Sequence, residues 1–414
     1  MKVYKFGGAS VQNAENIRNI ITVLNTAGYD STVIVTSAMG KTTNALEEVV
    51  AAYFEKRDYI PIIEKIENYH LEIAKNLFPE EDDIFEDIKV FFSDIISFLR
   101  RNKSLNYNFV YDQVISCGEL ISTKMVSAYL NFSGIVNTWL DIRDYIKSDS
   151  NYREGKINWK LTQKQFENFD TSKIYVTQGF LASDPNCFTV TLGREGSDYS
   201  AAIIAYCLNA EKVTIWKNVP GIMNADPGYF KDARLLNSIS YEEAVELAFY
   251  GASVIHPKTI QPLLRKEIPF FVRSFLEPEK PGTSVRRGVS INPNIPCFIL
   301  KKNEHLLTVS SRDFSFMQEE NLSTIFNCLS AQNIKVNMIS VSAISVSLCV
   351  EDKFGTIDIL IKNLESFFEL NIIKNVSLYT IRHSNSEIQR NFIKEKKVLL
   401  EQLVKETYQV IVKE

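Results

Sequence analysis

Residues 191–202 read T-L-G-R-E-G-S-D-Y-S-A-A. An apolar β-type run, 187–192, stops at Gly193 and Gly196, and an Ala/Ile-rich run with helical character, 201–210, follows. A glycine turn that opens a helix presents unpaired backbone N–H groups at the positive end of the helix dipole, so it can hold an anion. Ser197 or Asp198 suits the N-cap of that helix, and Arg194 and Asp198 place a cation and a carboxylate in one turn. An ordinary capped strand–turn–helix would read the same way, because glycine turns of this kind are common.

Much of the chain repeats this pattern. Residues 3–6 are a short β-type run, and Gly7-Gly8-Ala9-Ser10 is a turn. Residues 14–24 have helical spacing through Ile17, Ile20, Ile21 and Leu24, and 32–36 are a second β-branched run. That is a βαβ unit, which predicts parallel strands. Residues 44–101 read as a helical excursion from the sheet, and residues 111–117 lead into Gly118-Glu119 and a helix through Leu130. Further strands are expected at 135–140, 173–177, 188–192, 213–216 and 269–272, with helices at 200–208 and 241–249. The alternation predicts an α/β domain over 1–285, three layers deep, with helices covering both faces of a mainly parallel sheet.

Pro278, Pro281, Gly282, Pro293 and Pro296 mark a boundary, with 286–298 as the linker. Beyond it, strands at 306–310, 336–339, 343–350 and 376–381 and helices at 321–332 and 356–368 follow β-α-β-β-α-β order. That order predicts an α+β, ferredoxin-like second domain over 299–414. A long polar helix at 386–404 and a strand at 409–412 complete it.

A chain of 414 residues is too long for one core. Its net charge of −4 gives no electrostatic reason to expect nucleic acid or an anionic membrane as partner. No apolar run reaches the roughly 18 residues of a membrane span, and the chain opens on a strand pattern instead of a signal peptide. None of the six cysteines forms a C-x-x-C pair and most sit in apolar runs, so a reducing, cytoplasmic setting is expected. The four histidines form no H-E-x-x-H pair and there is no G-x-S-x-G elbow, which argues against zinc hydrolysis and triad chemistry. Gly40-Lys41-Thr42-Thr43 has the ending of a Walker A loop, but Val35 stands where its first glycine must be. What recurs is a cation beside a glycine turn just after a strand: Lys5 before Gly7-Gly8, Lys41 after Gly40, Arg194 between two glycines. Open α/β sheets place their ligand crevice there, and the collective pattern points to phosphate.

The same residues resemble the motifs of aspartate kinases, in the amino-acid-kinase superfamily. Lys5-Phe6-Gly7-Gly8, Thr36-Ser37-Ala38 through Thr43-Asn44, Gly118-Glu119-Leu120 and Gly179-Phe180 follow one another in the family's order. Residues 191–199, Val219-Pro220-Gly221 through Asp226-Pro227, and Gly251-Ala252 with His256-Pro257 continue the series over residues 1–284. Residues 299–414 resemble the family's ACT-type regulatory region, with one full and one reduced unit.

The resemblance implies ATP-dependent phosphorylation of the L-aspartate β-carboxylate to 4-phospho-L-aspartate, at the head of lysine, threonine and methionine synthesis, with Mg²⁺ held mostly by phosphate oxygens and water. A carboxylate with an ordinary pKa of about 3.9 is already ionised at neutral pH and needs no general base. By position, Lys5 would stabilise the transferring phosphoryl group and Asp198 would orient Lys5. Glu119 would bind the substrate amino group and Arg194 a substrate carboxylate, with Ser37, Thr43, Gly196 and Ser197 completing the substrate site. Gly7, Gly8, Lys217, Asn218, Met223 and Lys258 would lie on the nucleotide side. The family pattern has threonine at Ala9, glycine at Glu195, aspartate at Asn218, tyrosine at Met223, arginine at Gly228 and lysine at Ser253. It further implies a homodimer and an amino-acid effector, lysine or threonine, near 338–342. Two alternatives stand beside this reading: a non-catalytic amino-acid sensor on a decayed kinase scaffold, and a sister kinase acting on glutamate. The Glu119/Arg194 pair, suited to the two backbone charges of an amino acid, counts against carbamate.

Overall fold

The computed structural model describes residues 1–252 and 255–413. Strands β1 (Lys2–Phe6) and β2 (Thr32–Thr36) flank helix α1 (Ala14–Ala27) and pair in parallel. All five residues of β2 are buried, as a central parallel strand requires. Asn13 caps α1 by accepting the Asn16 N–H, and Gly28, at φ 75°, ends it by donating to the Leu24 carbonyl. The expected excursion is α2 (Thr42–Phe54), α3 (Ile60–Lys75) and α4 (Ile84–Arg101). Helix α5 (Tyr107–Phe132) then runs unbroken through Gly118-Glu119.

The chain continues through β3 (Thr138–Leu140), α6 (Trp159–Gln165), β4 (Tyr175–Gln178), β5 (Leu181–Ser183), β6 (Thr189–Thr191) and α7 (Gly196–Leu208). Next come β7 (Lys212–Lys217), β8 (Ser238–Ile239), α8 (Tyr241–Tyr250), α9 (Pro257–Arg265), β9 (Phe270–Ser274) and β10 (Thr283–Val285). Eight strands form one sheet in the order β3-β4-β2-β1-β7-β9-β10-β8, parallel except where β10 opposes β9. Strands β5 and β6 make a separate hairpin.

Tyr4, Phe6, Ile34, Val176 and Trp216 face one core, shared with the apolar sides of α1 to α5. Alternation along the strands turns Val3, Lys5, Val35 and Ile215 to the opposite face, also buried, where α7 lies beside β1 and β7. Lysine 5 therefore emerges at the strand tip on the α7 side. The helices on both faces give the three-layer α/β architecture that the alternation predicts.

By its internal packing the chain divides into two compact units. The first comprises Met1–Ile222, Leu235–Val245 and the segment ending at Pro293; the second comprises Met223–Arg234, Glu246–Ala252 and the segment beginning at Asn294. The second holds β11 (Cys297–Ser310), α10 (Glu319–Ala331), β12 (Lys335–Val341), β13 (Ser345–Glu351), α11 (Ile357–Leu364) and β14 (Glu369–Arg382). Helix α12 (Ser386–Ile393), β15 (Lys397–Val404) and β16 (Thr407–Lys413) follow. Six strands form an antiparallel sheet, β12-β13-β11-β14-β16-β15.

Strands β11 and β14 are each 14 residues long and serve two sub-sheets. Their one half, Leu306–Ser310 against Glu369–Ile373, carries β13 and β12, and α10 and α11 pack there on Leu307, Val309, Leu348 and Val350. The other half, Cys297–Lys301 against Leu378–Arg382, carries β16 and β15, and α12 packs there through Phe392 on Tyr379 and Phe298. One expectation fails here. The long polar helix read at 386–404 stops at Ile393, and 397–404 is β15. Its Leu and Val residues have spacing that suits a helix, but pairing with β16 and the Tyr408 hydroxyl donating to Glu401 at 2.6 Å override it.

Trp216 is fully buried, edge-on to Tyr4 with ring centres 6.1 Å apart and parallel to Phe6 at 6.3 Å. Trp216→Ala should lower the stability of the first unit by about 3–5 kcal/mol, seen as an earlier midpoint in urea unfolding followed by tryptophan-independent circular dichroism.

Candidate active site

Register brings four strand ends to one edge of the sheet. Phe6 lies opposite both Thr36 and Trp216, and Thr36 opposite Gln178, so the loops after β1, β2, β4 and β7 leave together. The first two interlock. The Gly40 N–H donates to the Gly8 carbonyl at 3.0 Å, and a Cβ on Gly8 would stand 2.7 Å from the Ala38 carbonyl oxygen. Gly7 is extended, at φ −77°, a conformation open to any residue; the steric demand falls on Gly8. Helix α3 braces this corner from outside. Tyr69 donates its hydroxyl to the Gln12 carbonyl at 2.6 Å, and His70 Nε2 lies 3.5 Å from Thr42 Oγ1. Burial pushes the His70 pKa down to about 4, so the ring is neutral at pH 7.

The third corner is closer still. A Cβ on Gly179 would lie 2.4 Å from Ser197 Cβ, and one on Gly196 would lie 2.4 Å from the Phe180 ring. The Phe180 N–H donates to Ser200 Oγ at 2.9 Å. These contacts set the start of α7 against the tip of β4. The helix opens earlier than the sequence suggests: its N-cap is Glu195, in the left-handed region at φ 54°, and neither Ser197 nor Asp198 caps it. Asp198, in the first turn, is thereby released from capping and turned toward the strand tips.

There it meets two lysines. Lys5 Nζ is 2.6 Å from Asp198 Oδ1, and Lys217 Nζ is 3.3 Å from Oδ2. Burial by itself would raise the Asp198 pKa, but Lys5 and then Lys217 outweigh it and hold the carboxyl below its usual value, so it is ionised. Glu119 sits mid-helix in α5, not in a first turn as its sequence context suggests, and is 3% exposed. Burial raises its pKa to about 8, against the opposing pull of the Ala38 N–H and Lys5. Its Oε2 accepts no hydrogen bond from the described residues, so it has acceptor capacity for an ammonium group.

The other expected residues fall as follows. Arg194 is exposed on the turn between Gly193, at φ 78°, and Glu195. Lys258, also exposed, has its Nζ 3.9 Å from where a Gly193 Cβ would be. Ser37 is half-buried, and its carbonyl accepts the Ser122 hydroxyl at 2.7 Å. Thr43 is half-buried in the first turn of α2, Ser197 is buried, and Asn218 is exposed just past β7. Met223 and Gly228 belong to the second unit, and Ser253 lies outside the described residues.

Sequence reasoning missed Asp112. Its buried carboxylate accepts the Arg153 N–H at 2.9 Å, the Thr191 N–H at 2.9 Å and the Thr191 hydroxyl at 2.7 Å. It thus ties α5 to the strand that leads into the Gly193–Gly196 turn. Burial raises its pKa to about 6 despite those three donors. The signal available was a carboxylate between Val110-Tyr111 and Val114-Ile115, a buried stretch in which an acid must be hydrogen-bonded.

Residues 1–274 match the model of the amino acid kinase family. The chain is 31% identical over 360 residues to lysine-sensitive aspartokinase 3 of Escherichia coli (strain K12), covering 86% of this chain and 79% of that protein. The chain belongs to the aspartokinase family. It is 30% identical over 366 residues to the chloroplastic bifunctional aspartokinase/homoserine dehydrogenase 2 of Arabidopsis thaliana, covering 84% of this chain but 39% of that protein. The chain thus spans half or less of the length of the bifunctional relatives that it matches. The structure of E. coli aspartokinase III in complex with lysine and aspartate, a T-state, superposes with a TM-score of 0.83 at 26% identity, covering 100% of this chain and 95% of that one. The R-state of the same enzyme, with aspartate and ADP, gives 0.81 at 26% identity, covering 100% and 96%.

In this aspartokinase-family chain the raised pKa of Glu119 has a consequence for stability. Stability from this group is complete below the ordinary glutamate pKa and is lost as pH rises through about 8. Glu119→Gln should therefore gain on the unliganded native protein between pH 5 and 8.5, by on the order of a few kcal/mol. Thermal melts of the two proteins across that range check it.

Proposed function

We propose that this chain transfers the γ-phosphoryl group of ATP to the β-carboxylate of L-aspartate. The observation that carries the reading is the buried Lys5–Asp198–Lys217 centre at the tips of parallel strands, with Glu119 in the same electrostatic field. Bringing a carboxylate to a triphosphate is a meeting of anions. Fixed cations and backbone N–H donors must offset the charge, and the nucleophile, already ionised, needs no base. The scarcity of histidine fits such chemistry.

Each residue then has a role. Glu119, which prefers to be neutral while buried alone, becomes ionised against the substrate ammonium group. Arg194 takes a substrate carboxylate on the exposed side of the turn, with Ser37, Thr43, Gly196 and Ser197 nearby in sequence motifs of the same edge. Lys5 follows the phosphoryl oxygens through the transition state, and Asp198 keeps its ammonium from swinging away. Gly7, Gly8, Lys217, Asn218 and Lys258 serve the nucleotide side, where Gly8 permits close approach of two loop backbones. We assign Met223 to the nucleotide on motif order alone. Magnesium, when bound, would neutralise phosphate charge. In this reading the ion is carried mainly by phosphate oxygens and water.

The E. coli enzyme's complexes with aspartate and ADP, and with lysine and aspartate, support ATP and aspartate as substrates and an amino acid as effector. For the effector we favour lysine or threonine at the β12–β13 turn of the second unit. Of 338–342, Met338 is buried in the core, so Val341 and Ser342, both exposed, are the reachable contacts. Strand β12 is an edge of its sheet, which suits pairing in a homodimer. No helix among the described residues is long and apolar enough to cross a membrane; a cytoplasmic setting is part of the proposal.

Lys5→Ala should lower kcat about a hundredfold or more with a smaller change in KM. Arg194→Ala should instead raise the KM for aspartate. A hydroxamate assay for acyl phosphate, run with aspartate and with glutamate, checks both; full turnover in Lys5→Ala, or preference for glutamate, would overturn the assignment.

A further inference from the structure

Glu195 is not accounted for by the roles above. It holds a left-handed backbone conformation, φ 54° and ψ 29°, which is costly for a residue with a side chain. The conformation is anchored, because the Glu195 carbonyl accepts the N–H groups of both Asp198 and Tyr199 at 3.1 Å. Glycine would adopt it freely, so the backbone gives no reason for a glutamate here. The side chain is only partly exposed. Its Oε2 is buried and accepts no hydrogen bond from the described residues.

The charged groups in its field come from three elements and its own turn. They are Lys217 at the end of β7, Asp198 in the first turn of α7, Lys5 of β1 and the adjacent Arg194. Behind the turn stand Glu154 and Lys258, near the Gly193 Cβ position at 3.7 and 3.9 Å. Burial raises the Glu195 pKa first of all; Lys217 pulls it down, Asp198 pushes it up, and Arg194 and Lys5 lower it. With Glu195 ionised, the inner group of two lysines and two carboxylates has no net charge. A centre meant to receive phosphate would gain from one carboxylate fewer.

We propose that Glu195 is a built-in anionic competitor at the phosphate-facing lysines: its carboxylate offsets Lys217 and Lys5 until an incoming polyphosphate takes their field, and it then accepts one proton from solvent. The inference rests on the reading that these lysines face phosphate. Its consequences are proton-linked. Phosphate binding raises the Glu195 pKa further, so affinity falls as pH rises from the free to the bound value and levels off above both. Neutralising the side chain should remove both the competition and the linkage.

The test is isothermal calorimetry with inorganic triphosphate on the full chain, for wild type, Glu195→Gln and Glu195→Gly, in buffers of different ionisation heat. Glu195→Gln should bind about fivefold tighter or better at pH 7.5 and take up fewer protons than wild type. Glu195→Gly should do the same and, freed of the left-handed strain, should melt no lower than wild type. Equal or weaker binding in both variants with unchanged proton uptake overturns the proposal, as does failure of all three proteins to bind. If the variants behave as expected but no acyl phosphate forms from aspartate, the kinase reading fails and the role of Glu195 stands. If acyl phosphate forms while the variants bind triphosphate like wild type, only the role of Glu195 is lost.

Discussion

A carboxylate that is 2% exposed and held between two ammonium groups sets the terms for the first unit. Burying charge costs several kcal/mol per ion unless partners are close and well aimed. Here the partners arrive from three elements: Lys5 from β1, Lys217 from β7 and Asp198 from α7. Neither strand can shift by one residue without turning its lysine to the other face of the sheet. The parallel register of β1 and β7 is thus tied to the charge centre, and the centre in turn selects that register.

The glycines follow from the same demand. The first turn of α7 must come within reach of the strand tips, and only residues without a Cβ at 179 and 196 let it pass Ser197 and Phe180. Gly8 has the corresponding role between the first two loops. Asp112 extends the logic one layer outward: three donors from 153 and 191 converge on one buried carboxylate and fix the approach to the Gly193–Gly196 turn. Rigid elements thus fix the two lysines in advance, which is what the proposed phosphoryl transfer would need for electrostatic stabilisation without reorganisation.

Much of this was legible in the sequence. The β-branched run of β2 and the apolar spacing of α1 announce a βαβ unit; of the three cations in the recurring pattern, Lys5 meets Asp198, beside Lys217, while Lys41 and Arg194 are exposed. The family motifs point to Glu119, which is buried in the field of Lys5, and to Arg194, which is exposed on the turn before α7. What could not be read depends on tertiary contacts. Glu119 looks like a helix start because Gly118 precedes it, yet α5 runs straight through; Gly118 is there because a Cβ would stand only 3.1 Å from the Thr42 side chain and 3.2 Å from that of Ala38. Ser197 and Asp198 look like caps because serine and aspartate usually are; the left-handed Glu195 moves the helix start ahead of them. The strand at 397–404 carries a helix-compatible pattern until β16 pairs with it.

The central claim is that Lys5 and Asp198 act as one unit, with the carboxylate holding the lysine for the transferring phosphoryl group. A double-mutant cycle on kcat/KM for aspartate, using Lys5→Met, Asp198→Asn and the pair, tests it most directly. The account predicts strong non-additivity, the double variant losing little more than Lys5→Met alone. Losses that simply add would show that the two residues act independently and would contradict it.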